Sequence, residues 1–286
     1  MREAGFACYP KLKPNSKSMM KTKLTLLITI LTAALLGVGC ASTDDTAASK
    51  AVPSFVNEGL VAYYPFNGDA QDAAGNSLEG IVTDTSGSGI HLVNVGAKPA
   101  PDRHGKPDKA LQFSGKEYLR FGRKLPDMPK QTTAAWVNTE NTAEQMGTIF
   151  SDLTPHGGND LIFCVSQTGG RVRADKNGGV LGVDGDSTKG LYVFPENKRP
   201  GKRWFQVTWV LEEKSSKIYL NGDEIARIIA TGSNIGYHQA EIGRWDHRFG
   251  AKEYFKGSID DVRIYNRALS ADEVKALYDL EKPKGK

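Results

Sequence analysis

The chain has 286 residues, with 37 Lys/Arg against 33 Asp/Glu and a formal net charge of +4. Seven of those bases and three of the acids lie in residues 1–50, leaving 30 of each beyond, so the body is neutral and lacks the basic footprint of a nucleic-acid binder. Its 31 glycines, spread between aromatic and β-branched runs, point to an all-β body of about 235 residues, an ordinary size for one sandwich.

Lys21 and Lys23 precede Leu24–Gly39, a mostly apolar stretch too short to span a hydrocarbon core of roughly 30 Å comfortably. A basic start, an apolar middle and small residues before Cys40 describe a secretory signal peptide over residues 1–40. Met19 or Met20 as the start would give a leader of ordinary size, which makes residues 1–18 a candidate mis-assigned extension. Gly37-Val38-Gly39-Cys40 resembles a bacterial lipobox, with Leu36 one place earlier than the usual Leu. That resemblance implies lipidation of Cys40 and an exported protein anchored in the cell envelope. Ala41 after the cysteine favours the outer membrane. Ordinary cleavage giving a secreted or periplasmic protein is the alternative. Residues 41–55 are rich in Ser, Thr, Ala and Asp without periodicity and read as a flexible tether.

The body then proceeds in short strands. Gly59–Phe66 is the first, followed by a polar turn, Asn67–Asn76, carrying Asp69 and Asp72. Asp102–Pro107 is a turn that leads into Ala110–Gly115, where Leu111 and Phe113 alternate. Tyr118–Phe121, Thr132–Val137 with Trp136, and Trp204–Val210 continue the β pattern. Asn221-Gly222 between Lys217–Leu220 and Asp223–Ala226 predicts a two-residue hairpin, because both turn positions need φ > 0. Ala240–Arg244 leads through an aromatic loop into Tyr254–Tyr265, where Val262 and Ile264 alternate with Asp261, Arg263 and Tyr265 as in a strand with one buried face. Ser270 and Glu273 have the spacing of a capping box, and Val274, Leu277 and Tyr278 follow at helical spacing. Cys164, the one cysteine outside the leader, sits in the apolar run Leu161–Val165 and reads as a buried, inert thiol.

The opening Tyr63-Tyr64-Pro65-Phe66 with its Asp-rich turn, the Asp102–Gly115 segment, the Trp136 strand and the closing Gly257–Ser270 run together resemble the laminin-G-like, concanavalin A-like jelly-roll domains. The resemblance spans Gly59 to Tyr278. It implies a jelly-roll β-sandwich of two antiparallel sheets with a short C-terminal helix, placed at residues 56–280, with a tail at 281–286.

Three constellations carry candidate chemistry. The resemblance implies a structural Ca2+ between the opening turn and the terminal strand, with Asp69, Asp72 and Asp261 as ligands. The other reading is that the Asx side chains cap their turn while Asp260 or Asp261 pairs with Arg263 or Arg267. Trp245, Asp246, His247 and Arg248 combine an aromatic face with fixed polar groups, as a carbohydrate site requires, unless Trp245 packs inward. Catalysis finds little support. Asp260 and Asp261 are adjacent, so they face opposite sides of a strand, and no metal-spaced histidines or nucleophile elbow exist. The expected molecule is therefore a non-enzymatic surface module that binds a glycan. A structural or adhesive lipoprotein recognising a protein is the alternative, and a divergent glycan hydrolase a distant third.

Overall fold

The computed structural model describes residues 52–68, 78–141, 147–153, 161–165, 171–176, 191–193, 203–213, 215–229, 239–246 and 252–284. The leader with Cys40, the turn with Asp69 and Asp72, and the loop with His247 and Arg248 lie outside them.

The strands run β1 (Leu60–Tyr64), β2 (Leu78–Val82), β3 (Leu92–Val95), β4 (Lys98–Ala100), β5 (Ala110–Ser114) and β6 (Tyr118–Phe121). They continue as β7 (Gln131–Thr139), β8 (Gly147–Leu153), β9 (Leu161–Val165), β10 (Arg171–Lys176), β11 (Leu191–Val193) and β12 (Phe205–Leu211). The last are β13 (Ser215–Leu220), β14 (Asp223–Ile229), β15 (Gln239–Ile242), β16 (Arg244–Asp246), β17 (Lys252–Tyr254) and β18 (Lys256–Tyr265), before helix α1 (Ala271–Glu281). The first sheet is ordered β14-β13-β12-β7-β18-β5-β4, with β1 also on β18, and the second β11-β10-β9-β8-β15-β6-β3-β2. The pairings are antiparallel, as in a jelly-roll sandwich. Leu111, Phe113, Val137, Val207 and Ile264 from the first sheet meet Leu92, Leu119, Phe150, Phe163 and Ile242 from the second in one core.

A second apolar cluster lies on the other side of the first sheet. Val274 and Leu277 of α1 cover Ala134, Val210, Tyr219 and Tyr265 there. Residues 261–265 are consequently buried on both faces, where the sequence pattern suggested one. The Ser270–Glu273 capping box forms in both directions and fixes where α1 begins. The Asn221-Gly222 turn forms with φ of 52° and 82°, and the Asn221 side chain accepts from Gln206 N at 2.9 Å, tying the turn to β12. No helix among the described residues is long and apolar enough to cross a membrane.

Candidate functional site

Two polar constellations stand out, one on the helix-covered face of the first sheet and one on the outer face of the second. On the first sheet, β18 changes partners midway. Residues 256–259 pair with β5 and residues 262–265 with β1, while β7 runs along the other edge. The register against β7 slips between Asp260 and Arg263, and Asp261 takes φ 47°, the mark of a bulge. Ile259 and Val262, three apart, both reach the core as a result.

The same bulge overturns the expectation that Asp260 and Asp261 face opposite sides. Arg103 bonds both, with Nη1 2.5 Å from Asp260 Oδ2 and Nη2 2.7 Å from Asp261 Oδ2. Their partner is therefore Arg103 and not Arg263 or Arg267. Arg263 is bonded to Glu281, and Arg267 to Glu273. Tyr63 Oη donates to the second oxygen of Asp261. Glu281, at the end of α1, also accepts from Trp136 Nε1 at 2.9 Å and Gln206 Nε2 at 3.0 Å. Burial pushes the Asp260 carboxyl well above the usual carboxylate range; the charge of Asp261 adds to this and Arg103 opposes it. The cluster opens onto a cleft of about 830 Å³ beside His104, Lys106 and Lys284.

Calcium fits poorly at Asp261 as placed. One oxygen takes the Tyr63 hydroxyl and the other a guanidinium, whose charge repels a cation. Among the described residues, no group of three His, Cys, Asp or Glu has the arrangement to hold a metal. The calcium expectation now rests on Asp69 and Asp72, outside the described residues.

Against the second sheet, β16 and β17 pair as a separate two-stranded hairpin, Trp245 opposite Glu253, that folds onto β8. Ser151 Oγ donates to the Arg244 carbonyl at 2.7 Å, and Cys164 Sγ lies 3.6 Å from Glu253 Oε2. Cys164 is fully buried, as its apolar run suggested. Arg244 grips Glu241 in a bidentate pair, with Nε 2.7 Å from Oε2, and its guanidinium lies 3.6 Å from the centre of the Tyr118 ring. Glu241 is wholly buried; burial pushes its carboxyl up and Arg244 pulls it partway back. Asp246 Oδ2 stands 3.5 Å from Arg244 Nη1. Trp245 and Asp246 are both part-exposed on this short strand; the Trp245 indole nitrogen is buried, so the ring is partly turned in and only part of it meets solvent.

The site residues thus divide. The structure places Trp245 and Asp246 next to each other on one short strand, whose period of two sets Asp246 on the side of Arg244 and Trp245 on the side of Glu253, and leaves His247 and Arg248 undescribed. Arg103, Glu241 and Tyr118 were not anticipated. An Asp-Asp pair in an apolar run does signal a buried cation, but its source 157 residues away could not be read from spacing.

No curated protein matches the chain. Among solved structures, the receptor-binding domain of botulinum neurotoxin type G superposes with a TM-score of 0.55 at 15% identity, over 78% of this chain and 52% of that one. The binding domain of Paraclostridial Mosquitocidal Protein 1 gives 0.56 at 14% identity, over 79% and 53%. Domain 4 of an extracellular arabinanase from Geobacillus stearothermophilus, solved in complex with arabinotriose, gives 0.51 at 20% identity, over 77% and 98%. The chain spans about half the length of the two toxin chains, and likenesses at such identity establish the fold alone. The Laminin_G_3 family, described as the concanavalin A-like lectin/glucanases superfamily, matches residues 113–275, a narrower span than the motifs from Gly59 to Tyr278 suggested. With more than half of the chain inside that match, and two antiparallel sheets packed on one core, the protein belongs to the concanavalin A-like lectin/glucanases superfamily.

Proposed function

We propose that the protein is a non-enzymatic surface module that binds carbohydrate on the Arg244–Asp246 hairpin. One observation carries the reading: Trp245 and Asp246 are part-exposed on a short strand that starts at a guanidinium held still by Glu241 and Tyr118. Sugars offer an apolar face to an aromatic ring and hydroxyls to fixed donors and acceptors, and a site braced before binding loses less entropy on association. The arabinotriose-bound arabinanase domain supports a glycan by analogy of fold, and a toxin binding domain solved with rat synaptotagmin II supports a protein ligand by the same analogy. The first sheet's carboxylate pair supports no hydrolytic role, because a buried arginine bridges both acids. The test is a glycan array with the wild-type protein and Trp245→Ala. Binding to a defined glycan class, lost in a Trp245→Ala protein that still melts cooperatively, supports the reading; a silent array overturns it and shifts the choice to a protein ligand. A lipid anchor on Cys40 would hold the module at the envelope, and loss of membrane fractionation in Cys40→Ala is its test.

A further inference from the structure

The outer face of the second sheet continues beyond Glu241 onto β6, β3 and β2. Backbone register sets Ile81, Val93, Arg120 and Glu241 side by side across four strands. Their chain neighbours Val82, Leu92, Leu119 and Ile242 all point into the core, so the period of two turns this row outward. One step along, Val95 pairs with Tyr118, which alternates outward in the same way. Ile81 is 61% exposed, more than any other large hydrophobic among the described residues. Val93, Val95 and Tyr118 are part-exposed. At roughly 4.8 Å between strands, the accessible part of the row, Ile81 to Arg120, is about 10 Å long before the covered Glu241 and the Trp245 hairpin follow. That suits an oligosaccharide better than a single sugar.

Charge gives this strip a direction. The Arg244 guanidinium is spent on Glu241, with Asp246 close by. Arg120 is exposed; its charge acts on Glu241, its neighbour across the strand pair, yet it makes no hydrogen bond or ion pair among the described residues. A planar, permanently charged fork beside an apolar strip matches a carboxylate carried on a ring with C–H faces. We propose that this face reads an acidic oligosaccharide. A uronate carboxylate pairs with Arg120, ring faces lie on Ile81, Val93 and Val95, and the neutral end reaches Trp245 and Asp246.

This inference rests on the carbohydrate reading and deepens it, so its test separates the two. Calorimetric titration would use oligomers of galacturonate, of mannuronate and of hyaluronan, each beside its methyl ester, against wild type, Arg120→Gln and Trp245→Ala. The expected result is a preference for at least one free acid over its ester. In Arg120→Gln the acid affinity falls roughly ten- to hundredfold, the loss of a charge-assisted bidentate bond, and the acid-to-ester ratio moves toward one. A thermal melt of Arg120→Gln at the wild-type temperature shows that the loss is local, as expected for an exposed side chain. Binding that Trp245→Ala abolishes but Arg120→Gln leaves untouched overturns the acidic reading while sparing the carbohydrate one. No acid preference across the panel, with neutral glycans bound on the array, does the same. Silence toward the panel and the array together overturns both.

Discussion

Glu281→Ala is the sharpest test of how the closing strand and the helix are joined. Glu281 is one of three buried residues on α1, and its carboxylate takes Arg263 from β18, Trp136 from β7 and Gln206 from β12. Arg263 and Glu281 side chains are 8% and 7% exposed, so the pair is desolvated. Removing one member of a buried pair typically costs about 3–5 kcal/mol, because the survivor remains charged in low dielectric. Arg263 would keep only its position 3.7 Å from the Tyr63 ring centre. The neighbouring cleft lets water reach the site, which places the expectation near 3 kcal/mol. For a body of this size that is a fall in Tm of about 6–12 °C. Urea unfolding followed by tryptophan fluorescence reads it directly, since Trp136 is itself a donor to Glu281. The double variant with Arg263→Ala should lose less than the sum of the singles, because the orphaned charge is gone. A Glu281→Ala protein within about 2 °C of wild type would refute the claim that this carboxylate holds the helix end.

Further expectations follow from the same sheet. Asp260 holds its proton in the folded state at pH values where the unfolded chain has lost it, so stability falls as pH rises from about 4 toward its raised folded value of about 8. Glu273, held low by its bond to Arg267, loses its contribution only at acid pH and does not share that window. Urea midpoints should therefore decline from pH 5 to pH 8 in wild type and decline less in Asp260→Asn, where Glu241, also pushed up by burial, keeps its share of the slope; a rise over that range would contradict the cause given. Gly257 has φ 129°, and a Cβ there would lie 2.1 Å from the Asn138 carbonyl oxygen of β7. Gly257→Ala should therefore abolish soluble, cooperatively melting protein, and a well-folded variant would show that β7 and β18 can part more easily than their register implies. If calcium occupies Asp69 and Asp72, melts in calcium should exceed those in EDTA, with the difference lost in Asp69→Asn. Equal melts would remove calcium from the account.

Signals that act over a few residues were legible in the chain: the Ser270–Glu273 box, the Asn221-Gly222 turn, the strand rhythm around Leu111 and Phe113. Each is decided by neighbours within a turn or a hairpin, so spacing suffices. The Asp260-Asp261 step was misread because a bulge is a property of pairing. It appears where β18 passes from β5 to β1 on one edge while staying with β7 on the other, and nothing local announces that exchange. With the strand taken as regular, the two acids pointed apart and the nearest arginines became their partners. In the folded chain Arg267 is already committed to the capping glutamate and Arg263 to the helix end, and the cation arrives from the turn before β5. This has a consequence for function. The most distinctive run in the sequence spends its polar groups on joining the helix, the first strand and the Arg103 turn to the first sheet. The proposed carbohydrate site accordingly draws its polar groups from the outer face of the second sheet, with part-exposed Trp245 and Asp246 at one end and exposed Arg120 along it.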